Sequence, residues 1–102
     1  MKIIKCIAEK IEDELQDAEA YVELAQKWKK DEPQTAEVFY DLSNEELGHM
    51  QRLHEEVARM IEEYREEHGD PPEGMTMLYD YLHEKYMDKA TQIRVMQGMY
   101  KA

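Results

Sequence analysis

Two short helix-breaking stretches divide this chain into three long segments, and this division constrains the fold more than any other feature. The first stretch is residues 30–34, around Pro33, and the second, residues 69–74, contains two prolines and two glycines. Residues of these types end helices. Elsewhere, apolar side chains recur every three or four positions, as on one face of an α-helix. The pattern predicts an all-α fold with helices over about 3–30, 34–67 and 75–99.

The length and charge of the chain limit its domain count and its partners. A chain of 102 residues fits one small domain, so we expect residues 1–102 to form a single helical unit. The 13 Lys and Arg residues against 24 Asp and Glu residues give a net charge of -11. This charge repels phosphate backbones and anionic lipid headgroups. We therefore expect neither nucleic acid nor a membrane as a partner.

The single cysteine and the first residues of the chain bear on its compartment. Cys6 precludes an intrachain disulfide and fits a reducing environment, and we expect this small side chain to be buried. Residues 1–7 are mostly apolar, but charge resumes at Glu9. The apolar run is far shorter than a signal peptide needs or than a membrane span of about 20 residues. We therefore expect a cytoplasmic protein.

The apolar stripe of each predicted helix indicates which face packs against the others. We expect the three stripes to form the core, because helices bury such faces against one another. In the first helix the stripe is Ile4, Ile7, Ile11, Ala18, Tyr21, Ala25 and Trp28; in the second it is Phe39, Leu42, Met50, Leu53, Val57, Met60 and Tyr64; in the third it is Met75, Leu78, Tyr79, Leu82, Tyr86, Ala90, Ile93, Met96 and Tyr100.

Polar side chains interrupt the stripes of the first two helices. Glu14 lies within the first stripe, and Glu46 and His49 lie within the second. An ionised carboxylate that is buried without a partner costs several kcal/mol. These carboxylates are therefore expected to be protonated, paired with a cation or bound to a metal ion.

The short linker predicts that these three side chains meet. If the first two helices form an antiparallel hairpin with its turn near residue 32, Glu14 lies about 18 residues before the turn, and Glu46 and His49 lie about 14 and 17 residues after it. At about 1.5 Å per residue, all three are level within about one helical turn. We therefore expect Glu14, Glu46 and His49 to share one helix interface.

Glu46 and His49 form a Glu-x-x-His motif, which can direct a carboxylate oxygen and an imidazole nitrogen to one ion. The motif alone is weak evidence, because random placement of 17 Glu and 4 His in this chain would produce about 0.7 such motifs. Its position within an apolar stripe is what makes it informative. A di-iron carboxylate bundle needs two Glu and Glu-x-x-His sets, and this chain has one, so we predict a site formed between two subunits. Four carboxylates from two chains balance two divalent iron or manganese ions.

The residues around the motif resemble the ferritin-like superfamily, especially its rubrerythrin and encapsulated-ferritin branches. The matching runs are residues 14–21, with sequence ELQDAEAY, and residues 44–49, with sequence NEELGH, together with Phe39. The resemblance implies that Glu46 bridges or chelates the metal and that Glu14 and His49 are terminal ligands. It also implies that Tyr21 acts beside the ligands and joins them as a catalytic residue.

The resemblance further implies a function. It implies a homodimer or larger homo-oligomer that forms a ferritin-like four-helix bundle with a di-iron site, in which manganese is the alternative metal. Such a site oxidises Fe(II) with O₂ or peroxide and makes the protein a ferroxidase, an oxidoreductase that handles iron. Encapsulated ferritins work inside an encapsulin shell, but residues 97–102 show no shell-targeting tail, so a shell partner is left open.

An alternative function is a metal-free helical oligomerisation or adaptor module. In this hypothesis the third helix offers its Tyr- and Met-rich face to a partner. Asp80 and His83 form a looser Asp-x-x-His pair on that helix, but Asp80 points away from the stripe, so we do not expect it to bind metal. We expect His54 and His68 to be surface residues.

Overall fold

The computed structural model describes residues 2–102 and consists of three α-helices, which confirms the predicted all-α fold. The helices are α1 (Lys2–Trp28), α2 (Pro33–His68) and α3 (Glu73–Lys101). Each end lies within two residues of its predicted position. The helices form a rod with dimensions of 56 × 18 × 17 Å.

The predicted breakers lie at the helix boundaries for identifiable reasons. Pro33 opens the first turn of α2, where its missing N–H is not needed and its fixed φ suits a helix. Gly69 follows the end of α2 with a φ of 80°, a conformation that glycine adopts without steric cost. Its amide donates to the Arg65 carbonyl at 2.9 Å, which satisfies one of the last free acceptors of the helix.

The core lies mainly between α1 and α2, which run antiparallel, and α3 packs across α1. The buried apolar residues of the main cluster are Ile7, Ile11, Leu15, Ala18, Val22, Leu47, Met50, Val57, Tyr86, Ala90 and Ile93. A second, smaller cluster lies at the end of the rod near the α1–α2 linker and contains Ala25, Ala36 and Tyr100.

The buried stripe of α1 differs from the predicted one. Leu15 and Val22 are buried, whereas Trp28 is 37% exposed and Glu14 and Tyr21 lie at the edge with intermediate burial. The reason is that α1 contacts both other helices, so its buried face is turned toward the side on which α3 packs. In the same way, Leu47 is fully buried on α2, although the predicted stripe omitted it.

A buried polar chain links all three helices and was not predicted. The Ser43 hydroxyl donates to the Ala18 carbonyl at 2.6 Å, and the Gln97 amide donates to the Ser43 oxygen at 3.0 Å. Ser43 is fully buried and Gln97 is 5% exposed. Because both side chains have partners, they lie in the core without the cost of an unsatisfied polar group.

The expected burial of Cys6 is wrong, since its side chain is exposed. Cys6 precedes the buried Ile7 and therefore points about 100° away from it around the helix. The first half of α3, residues 73–85, also departs from its predicted stripe, because Leu78 is 59% exposed and Met75 is 36% exposed. Among residues 2–102, no helix has the length and apolar character needed to cross a membrane.

Candidate metal centre

The antiparallel α1–α2 hairpin brings Glu14, Glu46 and His49 together, as their positions relative to the turn predicted. One ligand atom from each lies within 4.8 Å of the other two. Glu46 and His49 are one turn apart on α2, and Glu14 faces them from α1. Within residues 2–102 this is the only group of three such side chains close enough to hold an ion.

The three side chains converge through the imidazole of His49. Its Nδ1 lies 3.4 Å from Oε2 of Glu14 and 3.7 Å from Oε1 of Glu46. The side chains of Glu14 and Glu46 are 23% and 18% exposed, whereas that of His49 is 56% exposed. The carboxylates therefore lie at the edge of the apolar core, and the imidazole closes the group on the solvent side.

The environment of Glu14 fits a metal ligand. Its Oε2 is buried and has no hydrogen-bond partner among the described residues. A buried carboxylate oxygen without a donor carries a desolvation cost, and a cation bound at this point removes that cost. Two carboxylates and one imidazole form a mixed oxygen and nitrogen donor set that suits iron or manganese.

The candidate metal centre lies on the side of the hairpin that faces away from α3. Glu19 of α1 pairs with Lys89 of α3, which marks the side of α1 that α3 covers. Glu14 is five residues before Glu19 and therefore lies about 140° away around the helix. No element of the described chain covers the centre from outside, so its exposed face is free to meet another molecule.

Tyr21 lies on the same side of α1 as Glu14 but is not part of the three-residue group. Seven residues separate them, which corresponds to about 10.5 Å along the helix axis. The ring of Tyr21 stacks on Phe39 of α2, with centroids 6.3 Å apart and an interplanar angle of 23°. A catalytic role for Tyr21 beside the ligands stays a prediction.

A second pair of potential ligands was missed by the sequence analysis. His54, expected at the surface, is partly buried, and its Nε2 lies 2.6 Å from Nδ1 of His83 on α3. The position of His54 contains a signal that could have revealed its burial, though not its partner on α3. His54 is seven residues, or about two turns, after the buried Leu47 and so continues the core face of α2.

The hairpin and its site define a class of protein. An all-α hairpin that joins a glutamate of one helix to a Glu-x-x-His of the next supplies half of the ligand set of ferritin-like carboxylate proteins. The family model described as Rubrerythrin matches residues 5–101, nearly the whole chain. The chain therefore belongs to the rubrerythrin family, and this membership implies iron binding in general. Searches of curated proteins and of solved structures found no match.

Proposed function

We propose that two copies of this chain join their candidate metal centres and bind two iron ions between them, and that the assembly oxidises Fe(II) with O₂ or peroxide. The observation that carries the proposal is the buried Oε2 of Glu14, which has no hydrogen-bond partner and lies beside Glu46 and His49. Membership of the rubrerythrin family supports it.

The number of ligands supports a site shared by two chains. A di-iron carboxylate bundle uses two Glu and two Glu-x-x-His sets, and the described residues contain one cluster of this kind. A two-fold axis places identical patches against each other. Two copies of Glu14, Glu46 and His49 then offer four carboxylates, whose charge balances that of two divalent cations.

The open face of the centre supports the same arrangement. The His49 side chain is more than half exposed, and α3 lies on the other side of the hairpin. Two hairpins that meet through this face form a four-helix bundle, in which the ligands become part of the interior. Burial then strengthens the attraction between carboxylates and cations, because water screens it less.

Each ligand has a distinct task in this proposal. Glu46 and Glu14 hold the positive charge of the ions and favour the higher charge of Fe(III) over Fe(II). His49 binds through a neutral ring nitrogen, so protonated His49 pairs with the carboxylates and competes with metal. Two Fe(II) ions, as substrate, supply the two electrons that reduce O₂ to hydrogen peroxide or peroxide to water.

The test measures iron content and subunit mass together. The wild-type chain is loaded with Fe(II) in the absence of oxygen and desalted. Its iron content and the molar mass of the assembly in solution are then measured. We expect about two irons per dimer, followed by oxygen or peroxide consumption on exposure to the oxidant. His49→Ala should lose the iron. Glu45→Ala, which removes the neighbouring exposed carboxylate of α2, should keep it.

Three results would contradict the proposal. An iron-free, well-folded wild-type oligomer would overturn the metal site. Equal iron retention in wild type and His49→Ala would show that iron binds elsewhere. A monomer that holds a single iron through these residues would overturn the shared site while leaving the ligands in place.

The metal-free oligomerisation or adaptor module is the second candidate, and the surface of α3 favours it. Met77, Leu78, Tyr81 and Met99 expose 59–66% of their surface, and exposed apolar patches often mark interfaces. In this case chelators leave the oligomer unchanged, and Glu46→Ala or His49→Ala increases its stability. Loss of iron in these variants with no gain in stability favours the di-iron proposal.

A further inference from the structure

Two histidines from different helices meet outside the candidate metal centre. Nε2 of His54 on α2 lies 2.6 Å from Nδ1 of His83 on α3, and the ring centroids are 4.6 Å apart. Both side chains have intermediate burial. The two ring nitrogens are therefore directed at the same small volume of space.

Two imidazole nitrogens approach this closely only when a proton or a cation lies between their lone pairs. Protonation of His54 to the imidazolium cation is unfavourable, because burial and the neighbouring His83 both lower the pKa of His54. The hydrogen between the rings is carried by one of the two contacting nitrogens, and its transfer to the other nitrogen of the same ring leaves both contacting lone pairs free for a cation. A neutral imidazole is the commonest protein ligand for transition metals.

We propose that His54 and His83 form a second metal site, for a nitrogen-preferring divalent ion such as Zn²⁺, Ni²⁺ or Cu²⁺. A zinc ion binds imidazole nitrogen at about 2.0–2.1 Å, so two nitrogens on a tetrahedral ion lie about 3.3 Å apart. The rings need to separate by about 0.7 Å from their present distance. Water molecules complete the coordination sphere.

A cavity gives this pair both space and access to ions. A volume of about 1020 Å³ lies between the first half of α3, the second half of α2 and the start of α1, and both histidines line it. Tyr79 packs on His83, the α3 member of the pair, with ring centroids 5.9 Å apart, which restricts the orientation of that ring. The site is thus partly ordered before an ion arrives.

The donor atoms distinguish this pair from the candidate metal centre. Imidazole donors suit zinc, nickel and copper, whereas the carboxylate oxygens of the candidate metal centre add a preference for hard ions such as manganese. His54 is also five residues beyond His49, about 7.5 Å along α2 and about 140° around it. The two sites therefore lie on different faces of the hairpin and can be removed separately.

An ion at this position links two parts of the fold that otherwise share few contacts. The first half of α3 contributes no buried residue to the core, and the α1–α2 and α1–α3 interfaces form most of the packing between helices. A bond from His54 through the ion to His83 crosses the cavity. We infer that the ion stabilises the docking of α3 against the hairpin.

The test uses zinc alone as the probe. The full chain carrying His49→Ala, which disables the candidate metal centre, is stripped with EDTA, dialysed and titrated with Zn²⁺ by calorimetry at pH 7.5. We expect one zinc per chain and a higher Tm with zinc. Adding His83→Ala should weaken zinc binding at least tenfold. Adding His68→Ala, an exposed histidine of α2 beside Glu67, should leave it unchanged.

Circular dichroism of each variant establishes that the helices are intact before the titrations are compared. The proposal is overturned if the His49→Ala chain binds no zinc, or if His83→Ala leaves zinc affinity within threefold of its parent. Substitution of His54 by alanine provides an independent check from the α2 side. A loss of zinc in both single-histidine variants and retention in His68→Ala supports the site.

Discussion

The first half of α3, residues 73–85, and the second half, residues 86–101, pack in different ways. The second half buries Tyr86, Ala90, Ile93, Gln97 and Tyr100, whereas no residue of the first half is buried. The first half instead lines the cavity of about 1020 Å³. Both halves carry apolar side chains, but only the second half buries them. The difference depends on which side chains of the other helices each half contacts.

Polar contacts explain much of this difference. In the second half of α3, the Gln97 amide bonds to Ser43, and the Tyr100 hydroxyl donates to Glu37 at 2.9 Å. Such directional bonds require one alignment of the helices, which apolar contacts alone do not. In the first half, the side-chain hydrogen bond between α3 and α2 is the His54–His83 contact.

The largest expected effect comes from truncating matched apolar residues in the two halves. Ile93 is fully buried and Leu78 is 59% exposed. Ile93→Ala should reduce the free energy of unfolding by about 2–5 kcal/mol, because it leaves a cavity in a packed core. Leu78→Ala should change it by less than about 0.5 kcal/mol. Urea unfolding followed by circular dichroism measures both, and equal effects would contradict the comparison.

A smaller effect on stability is expected from a substitution in the buried polar chain, which involves the second half of α3. Ser43→Ala removes the acceptor of the Gln97 amide and leaves that amide unsatisfied in the core, which should cost about 1–3 kcal/mol. Thr91→Ala is the control, because its hydroxyl is exposed and bonds within its own helix to Met87. A Ser43→Ala variant as stable as the Thr91→Ala variant would show that the polar chain does not hold α3.

The smallest effect is expected from a change of pH, which should weaken the docking of the first half of α3 only. Burial and His83 lower the pKa of His54, so the separated helices take up a proton at higher pH than the docked ones. The contribution of His54 to docking is therefore fully present above the pKa of about 6.5 that His54 has in the separated helices, and it weakens as the pH falls below that pKa. The weakening ends once the pH is below the folded pKa.

Hydrogen exchange in EDTA at pH 7.5 and 5.5 measures this effect. After correction for intrinsic rates, protection of residues 73–85 should fall at the lower pH more than protection of residues 86–101. In His54→Gln the two segments should respond alike, while His68→Gln should behave as the wild type. Equal loss of protection along α3 in the wild type would show that the histidine pair does not control docking.

Much of the fold was predictable from local features of the chain. Pro33 and Gly69 mark helix boundaries because their backbone preferences are local. The convergence of Glu14, Glu46 and His49 was also predictable, since it follows from the position of the turn and the rise per residue of a helix. Neither inference needed knowledge of where α3 packs.

Apart from the exposure of Cys6, the missed features depend on the third helix. Leu15 and Val22 are buried because α1 has two neighbours, and a helical stripe drawn for one neighbour omits them. Gln97 was not expected in the core, since its burial requires the Ser43 oxygen from another helix. The His54–His83 contact likewise joins residues 29 positions apart, and no local pattern contains that distance.

The sequence by itself determined the helices, their approximate ends and the level at which three ligands face each other, because these depend on backbone preferences and a constant helical rise. The tertiary structure alone decided how far each helix is rotated, which half of α3 is packed, and that His54 meets His83. The physical reason is that rotation and docking depend on the shape and hydrogen-bond partners of distant side chains, which are set only when the helices are in contact.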